Sequence, residues 1–157
     1  MESFIIEGGQ PLKGSITPQG AKNEALQILC AVLLTPEVVN INNIPDIVDV
    51  NKLIKILENF GVLVKKISKG HFSFQAKKID LDYLDSDKFK NDGKGLRGSI
   101  MLVGPLLARF GKGSIPRPGG DKIGRRRLDT HFEGLIKLGA TFNLSLIHIS
   151  EPTRRSA

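Results

Sequence analysis

Apolar residues recur at helical spacing in "AKNEALQILCAVLL", where Ala25, Ile28, Leu29, Val32 and Leu33 fall on one stripe that stops before Pro36. A second stripe in "DVNKLIKILENFG" joins Leu53, Ile56, Leu57 and Phe60, with Gly61 as the C-terminal stop. Between them "VVNINNI" alternates as a strand does, and "VLVKKI" and "HFSFQA" read as the arms of a hairpin around "SKG". Two further short strands are predicted at the start, "SFIIEG" before Gly8 and Gly9, and "LKGSIT" before Pro18 and Gly20. From Ile79 to Lys94 the chain turns polar and charged, and a connector is expected there. The earlier order then returns: a helix in "RGSIMLVGPLLARFG", a strand in "KGSIPRP", a helix in "LDTHFEGLIKLG" and a strand in "ATFNLSL". The leucine pair at 33 and 34 leads to Gly61 as the pair at 106 and 107 leads to Gly139, which predicts an internal repeat of βα type. The second copy is longer, and its surplus falls in the loop "PRPGGDKIGRRRLD".

Composition narrows this reading only modestly. The chain has 157 residues, 40% of them hydrophobic and 25% charged, enough for one globular domain. Lys and Arg outnumber Asp and Glu by 23 to 16, a net charge of +7 that suits an anionic partner without naming it. The single cysteine, Cys30, sits in an apolar run and is expected to be buried; a disulfide framework is excluded and a reducing, cytoplasmic setting is expected. No apolar run is long enough for a membrane span, and the start lacks the pattern of a signal peptide.

The enlarged loop carries the first chemistry. Its glycines allow backbone N–H groups to approach a ligand, and Arg125, Arg126 and Arg127 add planar donors for phosphate or carboxylate. It is neither a Walker A loop nor a dinucleotide-binding fingerprint. "GAKNE" places Lys22 and Asn23 at the mouth of the first helix, where unpaired N–H groups already favour an anion. Arg97 opens the helix of the second copy in the same way. Each feature has an ordinary reading as a helix start or a solvated charge run; their convergence at the ends of repeated elements favours a site. His71 and His131 are not at metal-ligand spacing, and no metal or organic cofactor is expected.

Together, "GGQPLKGSITPQGAKNEAL", "NIPDIVDV", "LRGSIMLVGPLLARFGKG" and "PGGDKIGRRRLDTH" closely resemble the N-terminal third of the UDP-N-acetylglucosamine 1-carboxyvinyltransferases, the enolpyruvyl transferase family that begins peptidoglycan synthesis. The resemblance runs from about residue 1 to Asn143, and "GAKN" separates it from the sister shikimate-pathway enzymes. It implies an α/β (α+β) fold of repeated βαβαββ units in an inside-out α/β barrel, incomplete in this chain. Residues 1–21 would supply strands to a second domain, 22–143 the first part of the catalytic domain. Residues 144–157, "LSLIHISEPTRRSA", resemble a translated sequencing adapter and are expected to be a non-native tail.

The implied reaction transfers enolpyruvyl from phosphoenolpyruvate to the 3′-hydroxyl of UDP-N-acetylglucosamine and releases phosphate. By resemblance, Lys22, Arg97 and Arg126 hold phosphoenolpyruvate, and Lys22 also takes part in catalysis. Asn23, Arg97, Arg126, Arg127, Leu128 and Asp129 serve the UDP-sugar, and Asp121 is the proton donor. Most of the family carries cysteine, the target of fosfomycin, where this chain has Asp121, so insensitivity to the drug is expected. The general base and the missing C-terminal domain would lie beyond this chain, and the chain alone is expected to be inactive. The partners expected are these two substrates, with neither nucleic acid nor membrane. A shikimate-pathway transferase and a non-catalytic module binding anions or nucleic acid are the alternatives.

Overall fold

The computed structural model describes residues 3–9, 11–114 and 128–141. They belong to two compact units, Met1–Gly120 and Asp121–Ala157, which are taken separately.

In the first unit, helix α1 (Lys22–Ala31) runs into a 3-10 turn (Val32–Leu34) and buries Ala25, Leu26, Leu29, Cys30, Val32 and Leu33. Ile28, placed on the stripe from sequence, is instead 43% exposed. At 3.6 residues per turn Leu26 and Cys30 lie nearer the centre of the buried face, and Ile28 falls beyond its edge. Burial pushes the Cys30 thiol pKa up to about 12, as expected of a core residue rather than a nucleophile.

Helix α2 (Val48–Asn59) follows its predicted stripe, with Leu53, Ile56 and Leu57 fully buried and Phe60 behind them. Gly61 ends it at φ +92, a left-handed conformation that side chains disfavour; an added Cβ would also lie 2.9 Å from the Lys78 carbonyl oxygen.

Strands β1 (Val38–Ile41), β2 (Leu63–Ser68) and β3 (His71–Gln75) form an antiparallel sheet in the order β1-β3-β2. The register sets Val39 and Val64 opposite Phe74, which is fully buried, and Ile41 and Lys66 opposite Phe72. The inner face therefore meets the helices, while Asn40, Lys65 and Ser73 share the outer face. The order α1-β1-α2-β2-β3 is that of a βαβαββ unit without its first strand.

Several expectations need correction. The segment from Ile79 to Lys94 is not a plain connector: it forms a 3-10 turn (Asp82–Asp85) and helix α3 (Asp87–Lys94). Ser86 caps α3, its Oγ accepting from the Phe89 N–H at 3.1 Å. Phe60 meets Tyr83 and Phe89 edge-on, with ring centroids 4.8 and 5.4 Å apart, and with fully buried Leu84 these rings anchor a largely polar segment in the core. The Tyr83 hydroxyl donates to Asp92 at 2.7 Å, and partial burial raises its pKa.

The predicted strands in "SFIIEG" and "LKGSIT" are absent. Residues 3–9 and 11–20 pair with no strand, and Phe4, Ile5, Ile6, Leu12 and Ile16 are each at least 88% exposed. A strand exists only against a partner edge, and no described segment offers these residues one.

The predicted helix after residue 96 begins as a 3-10 segment (Arg97–Leu102) and becomes α4 (Val103–Phe110), which closes at Gly111 with φ +66. Arg109 on α4 donates to the carbonyls of Leu33 and Ala76, both at 2.9 Å, tying it to the end of the α1 segment and the residue after β3. Lys112, Gly113 and Ser114 carry no strand where "KGSIPRP" predicted one, and the rest of that stretch lies outside the described residues.

In the second unit the described part is helix α5 (Asp129–Lys137), which falls where its apolar spacing predicts and leads to Gly139 at φ +91. Ala140 and Thr141 carry no strand, and the remainder of "ATFNLSL" and the proposed tail fall outside the described residues.

Candidate functional site

The approach to α1 is fixed by a close backbone contact. A Cβ at Gly20 would sit on the carbonyl oxygen of Asn43 and 3.3 Å from Pro45 Cδ, so only glycine fits without backbone movement. Asn43 adopts φ +59, a left-handed conformation that asparagine tolerates better than most residues. The next residue, Ile44, donates its N–H to Gly70 in the hairpin turn at 2.9 Å. Three chain segments thus lock together two residues ahead of Lys22.

Helix α1 starts against local preference. Its N-cap is Ala21, which offers no capping side chain, and its first residue is Lys22, a cation at the positive end of the helix dipole. Lys22 Nζ lies 2.9 Å from Asp49 Oδ2, in the first turn of α2, where a carboxylate is favoured. Asn23 is exposed beside it.

Arg97 is half-buried at the head of its 3-10 segment, between buried Leu96 and Gly98. A Cβ at Gly98 would meet Leu26 Cδ1 at 3.0 Å, so this backbone rests on α1 one turn beyond Lys22. Ser99, fully buried, donates Oγ–H to the Leu96 carbonyl at 2.7 Å and completes the anchoring. Lys22, Asp49 and Arg97 therefore stand on three elements in mutual contact. The Lys52 ammonium, one turn of α2 beyond Asp49, lies 3.3 Å from the position of a Gly95 Cβ, two residues before Arg97.

Of the residues predicted from sequence, the structure places Lys22, Asn23 and Arg97 in the first unit. It places Leu128 and Asp129 at the start of α5: the Leu128 carbonyl accepts from the His131 and Phe132 N–H groups at 3.0 and 3.2 Å, and Asp129 occupies the first turn. Asp121, Arg126 and Arg127 lie outside the described residues. Sequence reasoning missed Asp49 and Lys52. Asp49 stands inside the quoted motif "NIPDIVDV", and the acidic residue at a predicted helix start was the available signal. For Lys52 no sequence signal separated it from other surface lysines.

A separate cleft of about 280 Å³ opens between Gln19, Asn43, Asp46, Lys66, Lys69 and Phe72; neither Lys22 nor Arg97 lines it. Among the described residues no helix is long and apolar enough to cross a membrane.

The chain matches the EPSP synthase (3-phosphoshikimate 1-carboxyvinyltransferase) family over residues 6–154. It is 61% identical over 142 residues to a UDP-N-acetylglucosamine 1-carboxyvinyltransferase of Bacteroides thetaiotaomicron, an alignment covering 90% of this chain and 33% of the relative. Proteins of the same name from Porphyromonas gingivalis and Treponema denticola are 57% and 44% identical, over 90% and 89% of this chain and 32% of each relative. The chain thus spans about a third of the length of the curated relatives it matches.

Proposed function

This chain belongs to the EPSP synthase (3-phosphoshikimate 1-carboxyvinyltransferase) family, and on that premise we propose that it is the first third of a cytoplasmic UDP-N-acetylglucosamine enolpyruvyl transferase of peptidoglycan synthesis. The observation that carries the acceptor assignment is the 61% identity to a protein named for UDP-N-acetylglucosamine. The contact of Gly98 with Leu26, which sets the Arg97 segment on the helix that begins with Lys22, supports the same reading.

The reaction joins C2 of phosphoenolpyruvate to the oxygen of the sugar 3′-hydroxyl while C3 gains a proton and the hydroxyl loses one. The adduct then loses a C3 proton and phosphate, restoring the double bond. Several negative charges must share one site, and fixed cations meet that need. Lys22, Arg97 and Arg126 fill this role, Asn23 and Arg97 contact the sugar nucleotide, and Arg126, Arg127, Leu128 and Asp129 lie near the uridine diphosphate end. Asp121 protonates C3. The remaining length of the transferase supplies the general base, so the 157-residue chain alone does not turn over.

Residues 1–21 belong with that remaining length. Their exposed Phe4, Ile5, Ile6, Leu12 and Ile16, and a βαβαββ order lacking its first strand, are what a segment paired elsewhere would leave behind. Residues 144–157 are read as foreign to the transferase.

The test continues residues 1–143 with the rest of the Bacteroides thetaiotaomicron relative and measures phosphate release from phosphoenolpyruvate. Release that requires UDP-N-acetylglucosamine and persists in fosfomycin is expected. Release with 3-phosphoshikimate instead would favour the acceptor in the family's name. Fosfomycin attached covalently at position 121 would overturn the role given to Asp121.

A further inference from the structure

Asp49 belongs to none of the roles above, yet its carboxylate is paired with the Lys22 ammonium. We propose that Asp49 is a positioning residue for the transfer reaction, fixing Lys22 Nζ where the anionic substrate is received; the proposal rests on the function assigned to Lys22 above. The ion pair spans 2.9 Å and joins the first turns of α1 and α2, 27 positions apart in sequence, so it is a tertiary contact rather than a helix-surface pair.

The surroundings of Lys22 give such a partner a purpose. At the first position of α1 its charge is disfavoured by the helix dipole, and the ammonium stands at the end of a flexible four-carbon stem whose position a fixed carboxylate narrows. The two side chains remain 46% and 35% exposed, so solvent screens their attraction and the pair adds little to stability. A weak tie in fold energy still restricts the ammonium in space. Asp49 can do this because α2 is locked into the core by Val50, Leu53 and Leu57, all fully buried. Its backbone is rigid where the Lys22 side chain is not.

A second ion pair on α2, Lys55 with Glu58 at 2.8 Å, shows what a pair without this placement looks like. It links residues three apart on one exposed helix face rather than two helices. It serves as the internal control.

The test uses the same full-length transferase, with Asp49→Ala, Asp49→Asn and Glu58→Gln. Loss of positioning leaves the Lys22 charge present but misplaced, so in Asp49→Ala kcat falls about tenfold or more and KM for phosphoenolpyruvate rises. Asparagine keeps the shape and an oxygen that can accept from Nζ, so Asp49→Asn recovers part of the lost kcat. Glu58→Gln leaves both constants unchanged. A purely structural role would lower the unfolding midpoint while leaving the kcat of the folded fraction intact. If the parent turns over and Asp49→Ala and Asp49→Asn both keep kcat within twofold, the positioning role is overturned and the assigned function stands. If the folded parent shows no transfer, both fall together.

Discussion

Replacing Gly20 with alanine tests whether the approach to Lys22 is built on a backbone contact. Gly20 does not have a left-handed φ, so strain plays no part and the sign is set by space alone. In open space the change would stabilise by about 0.4–1 kcal/mol, because alanine has fewer unfolded conformations to lose. Here the new methyl would occupy the place of the Asn43 carbonyl oxygen, with Pro45 Cδ 3.3 Å away. Asn43 cannot simply retreat, since Ile44 is bonded to Gly70 at 2.9 Å on its other side. Forcing an extra methyl into a close-packed contact costs about 1–3 kcal/mol, so the net expectation is a loss of about 1–2 kcal/mol. Urea unfolding followed by far-UV circular dichroism measures it, with Gly8→Ala as the reference. Gly8 has nothing within 4 Å of its added Cβ, and that variant should be no less stable than the parent, with a gain of at most about 1 kcal/mol. In the full-length transferase, relief of the clash by about an ångström would carry Lys22 with it and lower turnover by up to about a hundredfold. A Gly20→Ala protein as stable as the parent would refute the contact and the argument built on it.

Phe89→Ala removes one of the rings in the cluster with Phe60 and Tyr83 and should cost about 3–5 kcal/mol in the same urea assay. A loss below about 1 kcal/mol would return the segment from Ile79 to Lys94 to the status of a connector. The buried Cys30 thiol should resist Ellman's reagent at pH 8 in the native chain and react on unfolding; prompt native reaction would contradict its burial. Because its pKa is raised on folding from 9.0 to about 12, its contribution to stability is complete below pH 9 and is lost as pH rises towards 12. Tyr83 is raised too and reinforces that alkaline loss, so a urea midpoint that rose between pH 9 and 11 would reverse the sign argued here.

The parts legible in sequence were those with a period. The stripe of α2, the hairpin arms of β2 and β3 and the span of α5 follow from spacing and from Gly61 and Gly139, because a repeated choice of residue type outweighs any single exception. Helix α3 has no comparable stripe. Its burial depends on Phe89, its cap on Ser86, and its neighbour Tyr83 contributes one further ring, so the deciding contacts are long-range and invisible in a polar window. The opposite failure occurs at the N-terminus: "SFIIEG" and "LKGSIT" have strand character, but pairing belongs to two segments and is not encoded in one.

At the candidate site the structure breaks local preference where the sequence reads as an ordinary helix start. Alanine in the capping position and lysine at the start of α1 oppose helix formation; a sequence selected for stability alone would favour serine or aspartate there. Such exceptions are expected where function overrides the fold's own interest. The structure also shows how the exception is sustained. Gly20 lets the incoming backbone reach Asn43, Asp49 answers the misplaced charge from α2, and Gly98 allows the Arg97 segment to rest on Leu26. Two of these are glycines whose missing side chains become informative only when the opposing atoms are known. The third is an acidic residue that looks like ordinary helix-start chemistry until its partner across 27 positions is seen. The support of this site therefore lies in close approaches and one cross-helix pair, and substitutions at those supports should impair turnover even though none of the three residues bears the substrate.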